Sequence, residues 1–155
     1  MNNDNNLITF GVHGIKMISE LLCENGYGQY LFDMLTNAEG LGYAKNAVDG
    51  LTALPERFDY ASEGGIFSMN HHFFCMVDTY FYRRLAGIMV NDFASGDIVV
   101  SPLFVKGINR LNAKFCNISV SYDESQIKIS SPFGFKLILG GKTQILPAGD
   151  YTFSR

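Results

Sequence analysis

The spacing of apolar residues changes once along the chain. Over residues 11–24 apolar side chains recur every three or four positions, which is the spacing of one helix face. Asn25 and Gly26 predict the end of this helix, and a second apolar stripe follows at Tyr30, Leu31, Met34 and Leu35. Because residues 26–28 form a tight connection, we expect the two helices to form an αα-hairpin.

The next region is less regular. Residues 40–65 have weak periodicity, several glycines and a proline, which predicts a loop with room for one helical turn. Ser68 is the predicted N-cap of a further helix, and Gly87 is its predicted end. That helix has a wide apolar face, made of Phe73, Phe74, Met76, Val77, Tyr80, Phe81 and Leu85.

From about residue 97 the apolar residues recur at every second position, as in strands. In CNISVSY, for example, Ile118, Val120 and Tyr122 alternate with polar side chains. IVVS, QIKIS, FGFKLIL, TQIL and the closing YTF also indicate strands, and residues 123–125, 140–141 and 147–150 carry turn signals. The chain is therefore predicted to be α+β, with a helical part over residues 1–90 and an antiparallel β unit over residues 91–155.

Composition excludes several classes of function. The 155 residues are 17% charged with a net charge of −3, and no basic block is present that could neutralise phosphates, so we expect no nucleic-acid partner. No apolar run approaches the roughly 20 residues that span a bilayer, so no membrane partner is expected. The N-terminus lacks the pattern of a secretory signal, which favours a cytoplasmic location unless a preceding segment is missing.

The cysteines and histidines do not predict a metal site. Cys23, Cys75 and Cys116 are far apart and odd in number, so they fit neither zinc spacing nor a disulfide framework and are expected to be buried thiols. His71 and His72 are adjacent, and on a helix their side chains would point about 100° apart. We therefore expect no metal and no cofactor.

Two short segments carry candidate chemistry. Glu56 lies in a loop between apolar residues, where its carboxylate would serve as a general base or bind a polar substrate. Alternatively, it would form a surface salt bridge with Arg57 or another charge. Asn70 and His71 precede the predicted helix. One imidazole here either points into a cleft as a hydrogen-bond donor or is satisfied by the backbone at the helix start.

Three segments in this order resemble motifs of the bacterial α-L-rhamnosidases. They are FGVHGIKMISELLCENGYGQYLFDML, GLTALPERFD and SMNHHFFCMVDTYFYRRLAGI, and the strands DIVVSPLFVKGINRLNAKF and LPAGDYTF resemble the region that follows them in that family. The resemblance covers nearly all of this chain, but only the C-terminal end of the family's longer polypeptide. It implies the last helices of an (α/α)₆ barrel, followed by an antiparallel β-sandwich.

The resemblance also implies a chemistry, the inverting hydrolysis of terminal α-L-rhamnosyl bonds. Glu56 matches the presumed general base, and His71 matches a histidine that lies in the sugar pocket. Asn70 would orient the start of that helix or bind the sugar indirectly. Phe58 stands where the family has Trp, and would retain part of the stacking on the sugar ring. The general acid lies upstream in the family, so the chain alone is expected to be inactive.

The implied partners are a rhamnoside-containing carbohydrate and an upstream barrel polypeptide, or a second copy bound through exposed helices. A few barrel helices cannot close a ring, so we expect a large exposed apolar patch on the helical half, and we base this on the broad apolar face from Phe73 to Leu85. Two other functions fit the same sequence. One is a non-catalytic carbohydrate-binding or structural module, and the other is the remnant of a decayed gene.

Overall fold

A computed structural model describes residues 11–59 and 67–155. The chain divides into two compact units, residues 1–78 and 79–155. This division precedes the boundary predicted between residues 90 and 91, because the last helical turn packs against the first strand within the second unit. The assignment of residues 1–90 to a barrel domain and of residues 91–155 to a sandwich domain stays a prediction.

The helical hairpin forms as expected. Helix α1 spans Val12–Glu24 and helix α2 spans Gly28–Thr36, and the two helices pack against each other. At the connection Gly26 has a φ of 81°, a left-handed conformation that glycine adopts without strain. Ile15 and Leu31 are fully buried, so the predicted apolar stripes do face the interior.

The remaining helical segments are short. Helix α3 spans Tyr43–Val48, in the described part of the loop region where one helical turn was expected. A 3₁₀ helix over His72–Val77, helix α4 over Asp78–Tyr80 and a π-helical turn over Phe81–Leu85 then follow without a break. None of the helices in the described residues is long and apolar enough to cross a membrane.

The predicted start of the last helical segment is wrong. Helical backbone begins at His72 rather than directly after Ser68. The Ser68 hydroxyl instead accepts the N–H of Asn70 at 3.2 Å, a local turn that competes with helix capping. The predicted end is confirmed, because Gly87 has a φ of 72° and its carbonyl accepts the N–H of Ser101 at 2.9 Å.

Within residues 11–59 and 67–155, eight strands form two four-stranded sheets. The strands are β1 Ile88–Asp92, β2 Asp97–Val100, β3 Leu111–Phe115, β4 Ile118–Tyr122, β5 Gln126–Ser131, β6 Phe135–Leu139, β7 Lys142–Leu146 and β8 Gly149–Ser154. Sheet A has the order β1-β2-β6-β7, and sheet B has the order β3-β4-β5-β8. Six strands were predicted, whereas β1 and β3 were not. The β unit was also predicted to be antiparallel, but β2 and β6 pair in parallel.

One core joins the two sheets. Its buried side chains are Ala86, Ile88, Ile98, Val100, Ile118, Val120, Tyr122, Ile127, Ile129, Phe135 and Leu137. Within β4 the residues predicted to alternate do so, with Ile118, Val120 and Tyr122 buried. Two sheets that share one core in this way form a sandwich.

Exposure differs from expectation in two respects. The apolar face over residues 73–85 does not form the expected patch by itself, because Phe74, Val77, Tyr80 and Leu85 are buried. Exposed apolar side chains of the helical half lie elsewhere, for example Met17 at 74% and Leu21 at 60% on α1, because these positions point away from the hairpin contact. The cysteines were expected to be buried, but Cys75 is exposed and the other two are half-buried, since Phe74 rather than Cys75 faces inward.

Candidate functional site

Two loop segments are tied together around Glu56. The backbone N–H of Glu56 donates to the carbonyl of Ser68 at 2.7 Å, and the N–H of His71 donates to the carbonyl of Leu54 at 2.7 Å. These two backbone hydrogen bonds join residues 54–56 to residues 68–71, much as neighbouring strands are joined in a sheet. They join the segment that carries Glu56 to the segment that carries Asn70 and His71, whereas the assignment of these residues to a sugar site stays a prediction.

The carboxylate of Glu56 is held by the backbone. Its Oε2 atom accepts the N–H of Ser68 at 3.0 Å, and the residue is exposed. Among the described residues Glu56 has no ion-pair partner, while Arg57 donates from Nε to Asp59 at 2.8 Å. This hydrogen bond from Arg57 lowers the pKa of the exposed Asp59 carboxyl. Glu56 is therefore an oriented, solvent-accessible carboxylate, and the alternative of a salt bridge with Arg57 is not formed.

Asn70 and His71 lie on the rim of the same region. Asn70 is exposed, and its N–H donates to the Ser68 hydroxyl. His71 is half-buried, with its ring centroid 5.5 Å from that of Phe73. His72 is exposed and stacks on Phe73 at 4.5 Å. The imidazole of His71 and the amide of Asn70 thus both remain available for hydrogen bonds to a polar ligand.

Phe58 lies in an aromatic cluster rather than on the rim. Its ring is 8% exposed and lies 5.0 Å from that of Tyr43 and 4.4 Å from that of Phe74, between centroids. Little of the Phe58 ring is therefore available to a ligand in this chain, and its proposed contact with a sugar stays a prediction.

The aromatic cluster of Tyr43, Phe58 and Phe74 packs next to the segment that carries His71. The hydroxyl of Tyr43 donates to the carbonyl of Phe74 at 2.8 Å. Burial raises the pKa of Tyr43 well above its usual value, with smaller contributions from Cys75 and Asp78. The neutral hydroxyl therefore persists as a donor, and it ties α3 to the 3₁₀ helix that begins beside His71.

Sequence reasoning missed two groups at this site. Ser68 was assigned only as a helix cap, although its N–H holds Glu56. Tyr43 was not assigned, although it anchors the aromatic cluster. A backbone donor has no signature in a sequence, and a tyrosine at the start of a short helix is not a specific signal. Among the described residues, no three His, Cys, Asp or Glu side chains are grouped as a metal site requires.

The chain is similar to known α-L-rhamnosidases in fold. The α-L-rhamnosidase from Dictyoglumus thermophilum matches with 20% identity and a TM-score of 0.82, covering 97% of this chain and 21% of that one. The native enzyme from Aspergillus terreus matches with 16% identity and a TM-score of 0.88, over 97% and 20%. The enzyme from Streptomyces avermitilis, complexed with L-rhamnose, matches with 16% identity and a TM-score of 0.84, over 97% and 18%.

The chain thus spans about a fifth of the length of these structures, and it corresponds to their C-terminal part. None of the curated proteins is significantly similar to it in sequence. The family model of the bacterial alpha-L-rhamnosidase 6 hairpin glycosidase domain matches residues 1–85, which is more than half of the chain. The chain therefore belongs to the bacterial α-L-rhamnosidase six-hairpin glycosidase family.

Proposed function

We propose that the chain is the C-terminal part of an inverting α-L-rhamnosidase, in which Glu56 is the general base and His71 and Asn70 bind the sugar. The observation that carries this proposal is the exposed carboxylate of Glu56, held by the N–H of Ser68 beside the Asn70–His71 segment. The substrate class follows from the family and from the relative that is complexed with L-rhamnose.

The proposed role of Glu56 follows from the chemistry of inversion. A carboxylate takes a proton from the water that attacks the anomeric carbon, and a separate carboxylic acid protonates the leaving oxygen. The two groups stand roughly 6.5–9.5 Å apart, which leaves room for the water. Ser68 holds Oε2, and we propose that the second oxygen of Glu56 accepts the proton from such a water. The acid is expected from the upstream part of the barrel, so the chain alone should not turn over.

The same proposal assigns a partner to the helical hairpin. The exposed apolar side chains of this region are Met17, Leu21, Tyr27, Tyr30, Leu41 and Val48. In addition, neither amide atom of the buried Asn46 has a hydrogen-bond partner in the described part of the chain. A buried amide without partners is costly and rare. We infer that an upstream barrel polypeptide packs on these helices, in preference to a second copy of the chain, since a six-hairpin domain has further hairpins to supply.

The catalytic test uses the chain together with the polypeptide that carries the remaining barrel helices. Hydrolysis of 4-nitrophenyl α-L-rhamnopyranoside is measured for the complex with the native chain and with Glu56→Gln. The substitution should lower kcat by about 10²–10⁴-fold, the usual contribution of a general base. Glu39→Gln changes another exposed carboxylate of the helical unit and should leave the rate unchanged.

Two outcomes would contradict this assignment. A complex that keeps its rate with Glu56→Gln would show that Glu56 is not the base. A complex that binds the rhamnoside and shows no hydrolysis with the native chain would favour the alternative of a non-catalytic carbohydrate-binding module.

The partner assignment has its own test. Leu21→Gln replaces an apolar side chain that is 60% exposed on α1, and it should weaken the complex with the barrel polypeptide by about tenfold. Lys16→Gln is the matched control, because Lys16 is an exposed polar residue of the same helix. Equal affinities for the two variants would show that this face is not the contact, and dimerisation of the chain alone through Leu21 would favour self-association.

A further inference from the structure

A cleft of about 580 Å³ lies at one end of sheet A, in the second unit. Its lining includes the strand residues Ile98 and Phe135, whose side chains are buried in the core. Its walls are the side chains of Phe93, Phe133 and Ile145, which come from the β1–β2 turn, the β5–β6 turn and strand β7. The volume is within the range of small-molecule sites in proteins.

Two phenylalanines in the walls of the cleft expose aromatic surface to solvent. Phe93 is 51% exposed and Phe133 is 39% exposed, and their rings meet edge to face with centroids 5.6 Å apart. Phe135 supplies the aromatic packing of the core beneath them. Exposed apolar side chains that are grouped on a concave surface mark a ligand site more often than a packing defect.

The rim of the cleft carries one acidic and one basic side chain, those of Asp97 and Lys136. Asp97 begins β2 and its Oδ2 accepts the Nδ2–H of Asn91 at 3.1 Å, next to a bulge between Val90 and Asp92. Lys136 lies on β6, in register with Ile145 of β7. Bulges often redirect a side chain towards a ligand.

Charge indicates the class of ligand. One carboxylate and one ammonium group balance each other, so the cleft has no net charge that would select an anion or a cation. Asp97 and Lys136 form no ion pair in the described residues, and hydroxyl groups can both donate to the carboxylate and accept from the ammonium group. A molecule with an apolar face and a ring of hydroxyls satisfies both the phenylalanines and the rim.

We propose that this cleft binds a neutral pyranose, as a sugar subsite separate from the Glu56 region. The apolar C–H face of the sugar packs on Phe93 and Phe133, and its hydroxyls bond Asp97 and Lys136. The choice of sugar rests on the proposed function, because a glycosidase whose β domain holds a second sugar keeps a polymeric substrate close to the catalytic site.

The test is a ¹H–¹⁵N NMR titration of the full chain with methyl α-L-rhamnopyranoside and, separately, with methyl α-D-glucopyranoside. We expect saturable shifts of the amides of Gly96, Asp97, Gly134 and Lys136 with at least one of the sugars. Phe93→Ala should weaken this binding by about tenfold. Phe115→Ala is the control, because Phe115 is also exposed, at 46%, but lies on β3 of the other sheet.

Asp97→Asn is a second variant that alters the rim and leaves the phenylalanines in place, and it should also weaken binding. Glu56→Gln should leave these shifts unchanged, so failure of this proposal is distinct from failure of the catalytic one. The absence of shifts with both sugars would overturn the proposal. Shifts at the cleft that grow with protein concentration in the absence of sugar would also overturn it, since they would mean that two copies meet there.

Discussion

The two units bury their apolar residues in different ways. In the helical unit Ile15 of α1 and Leu31 of α2 are buried, whereas Met17 and Leu21 of α1 are exposed. In the sandwich, inward-facing residues of both sheets enclose one another. The sandwich therefore encloses its own apolar core, whereas the helices bury one face and leave apolar side chains of another face exposed. One polypeptide can therefore contain a unit that encloses its apolar side chains and another unit that leaves several large ones exposed.

Buried polar groups without partners occur in both units. In the sandwich Asp123 accepts N–H groups from Ser125 and Gln126, but the buried hydroxyl of Tyr122 has no hydrogen-bond partner among the described residues. In the helical unit the amide of the buried Asn46 has no partner among them either. Such groups are rare in folded proteins, and each needs its own explanation, such as local strain or an ordered water.

The largest loss of stability is expected at Gly87, between the π-helical turn and strand β1. Gly87 has a φ of 72°, and a Cβ built there would lie 2.2 Å from the backbone of Ser101 and Pro102. Gly87→Ala should therefore cost about 4 kcal/mol of the free energy of unfolding, measured by urea denaturation. Gly96→Ala is the control, because Gly96 has nearly the same φ of 71° with open space around it and should cost about 1 kcal/mol. Equal costs would show that the close backbone approach is unimportant.

The next effect tests how well the helical unit tolerates a loss of packing. Phe74 is 1% exposed and contacts both Phe58 and Tyr43, so Phe74→Ala should cost about 3 kcal/mol. Phe73→Ala changes the neighbouring residue, which is 44% exposed, and should stay within about 0.5 kcal/mol. Protease cleavage within residues 11–59 reports the loss. If both variants were cleaved at the native rate, the aromatic cluster would not be what holds this unit together.

The smallest effect concerns acid. Hydrogen bonds from the backbone and side chain of Ser125 and from Gln126 lower the pKa of Asp123 to about 2, from an ordinary value of 3.8. A lowered pKa favours the folded state fully above about pH 4, and that contribution is lost as the pH falls towards 2. Asp123→Asn should therefore flatten the decline of the urea midpoint of the sandwich between these pH values. Ser125→Ala removes one donor and should give an intermediate profile, and an unchanged decline in both variants would contradict the assignment.

Much of the fold was predictable, because its elements are locally encoded. The hairpin of α1 and α2 and strands such as β4 follow directly from the spacing of apolar residues. Strand β3 was not predicted because it lies at the edge of sheet B, where its residues are exposed or only half-buried and its alternation is weak. Strand β1 follows Gly87 directly, without a turn signal, so its start resembles the end of the helix. The parallel pairing of β2 and β6 depends on distant residues and has no local signature.

The candidate site was predictable only in part. Motif order brought Glu56, Asn70 and His71 together, and backbone bonds between their segments do join them. The burial of Phe58 was not predictable, because it depends on the distant rings of Tyr43 and Phe74. The motifs thus predicted which segments lie close together. The burial of the Phe58 ring depends on packing against residues outside its own motif, which a short motif does not specify.

The parallel pairing of β2 and β6 has a consequence for how the sandwich folds. All of β3, β4 and β5 lie between these two strands in the chain, and β6 and β7 lie between β5 and its partner β8. Neither sheet is therefore contiguous in sequence. In each sheet, the last strands to pair follow strands of the other sheet in the chain. Such distant pairings slow folding and make it concerted. On a ribosome the β1–β2 hairpin would emerge early and remain unpaired along its inner edge until residues near the C-terminus were made.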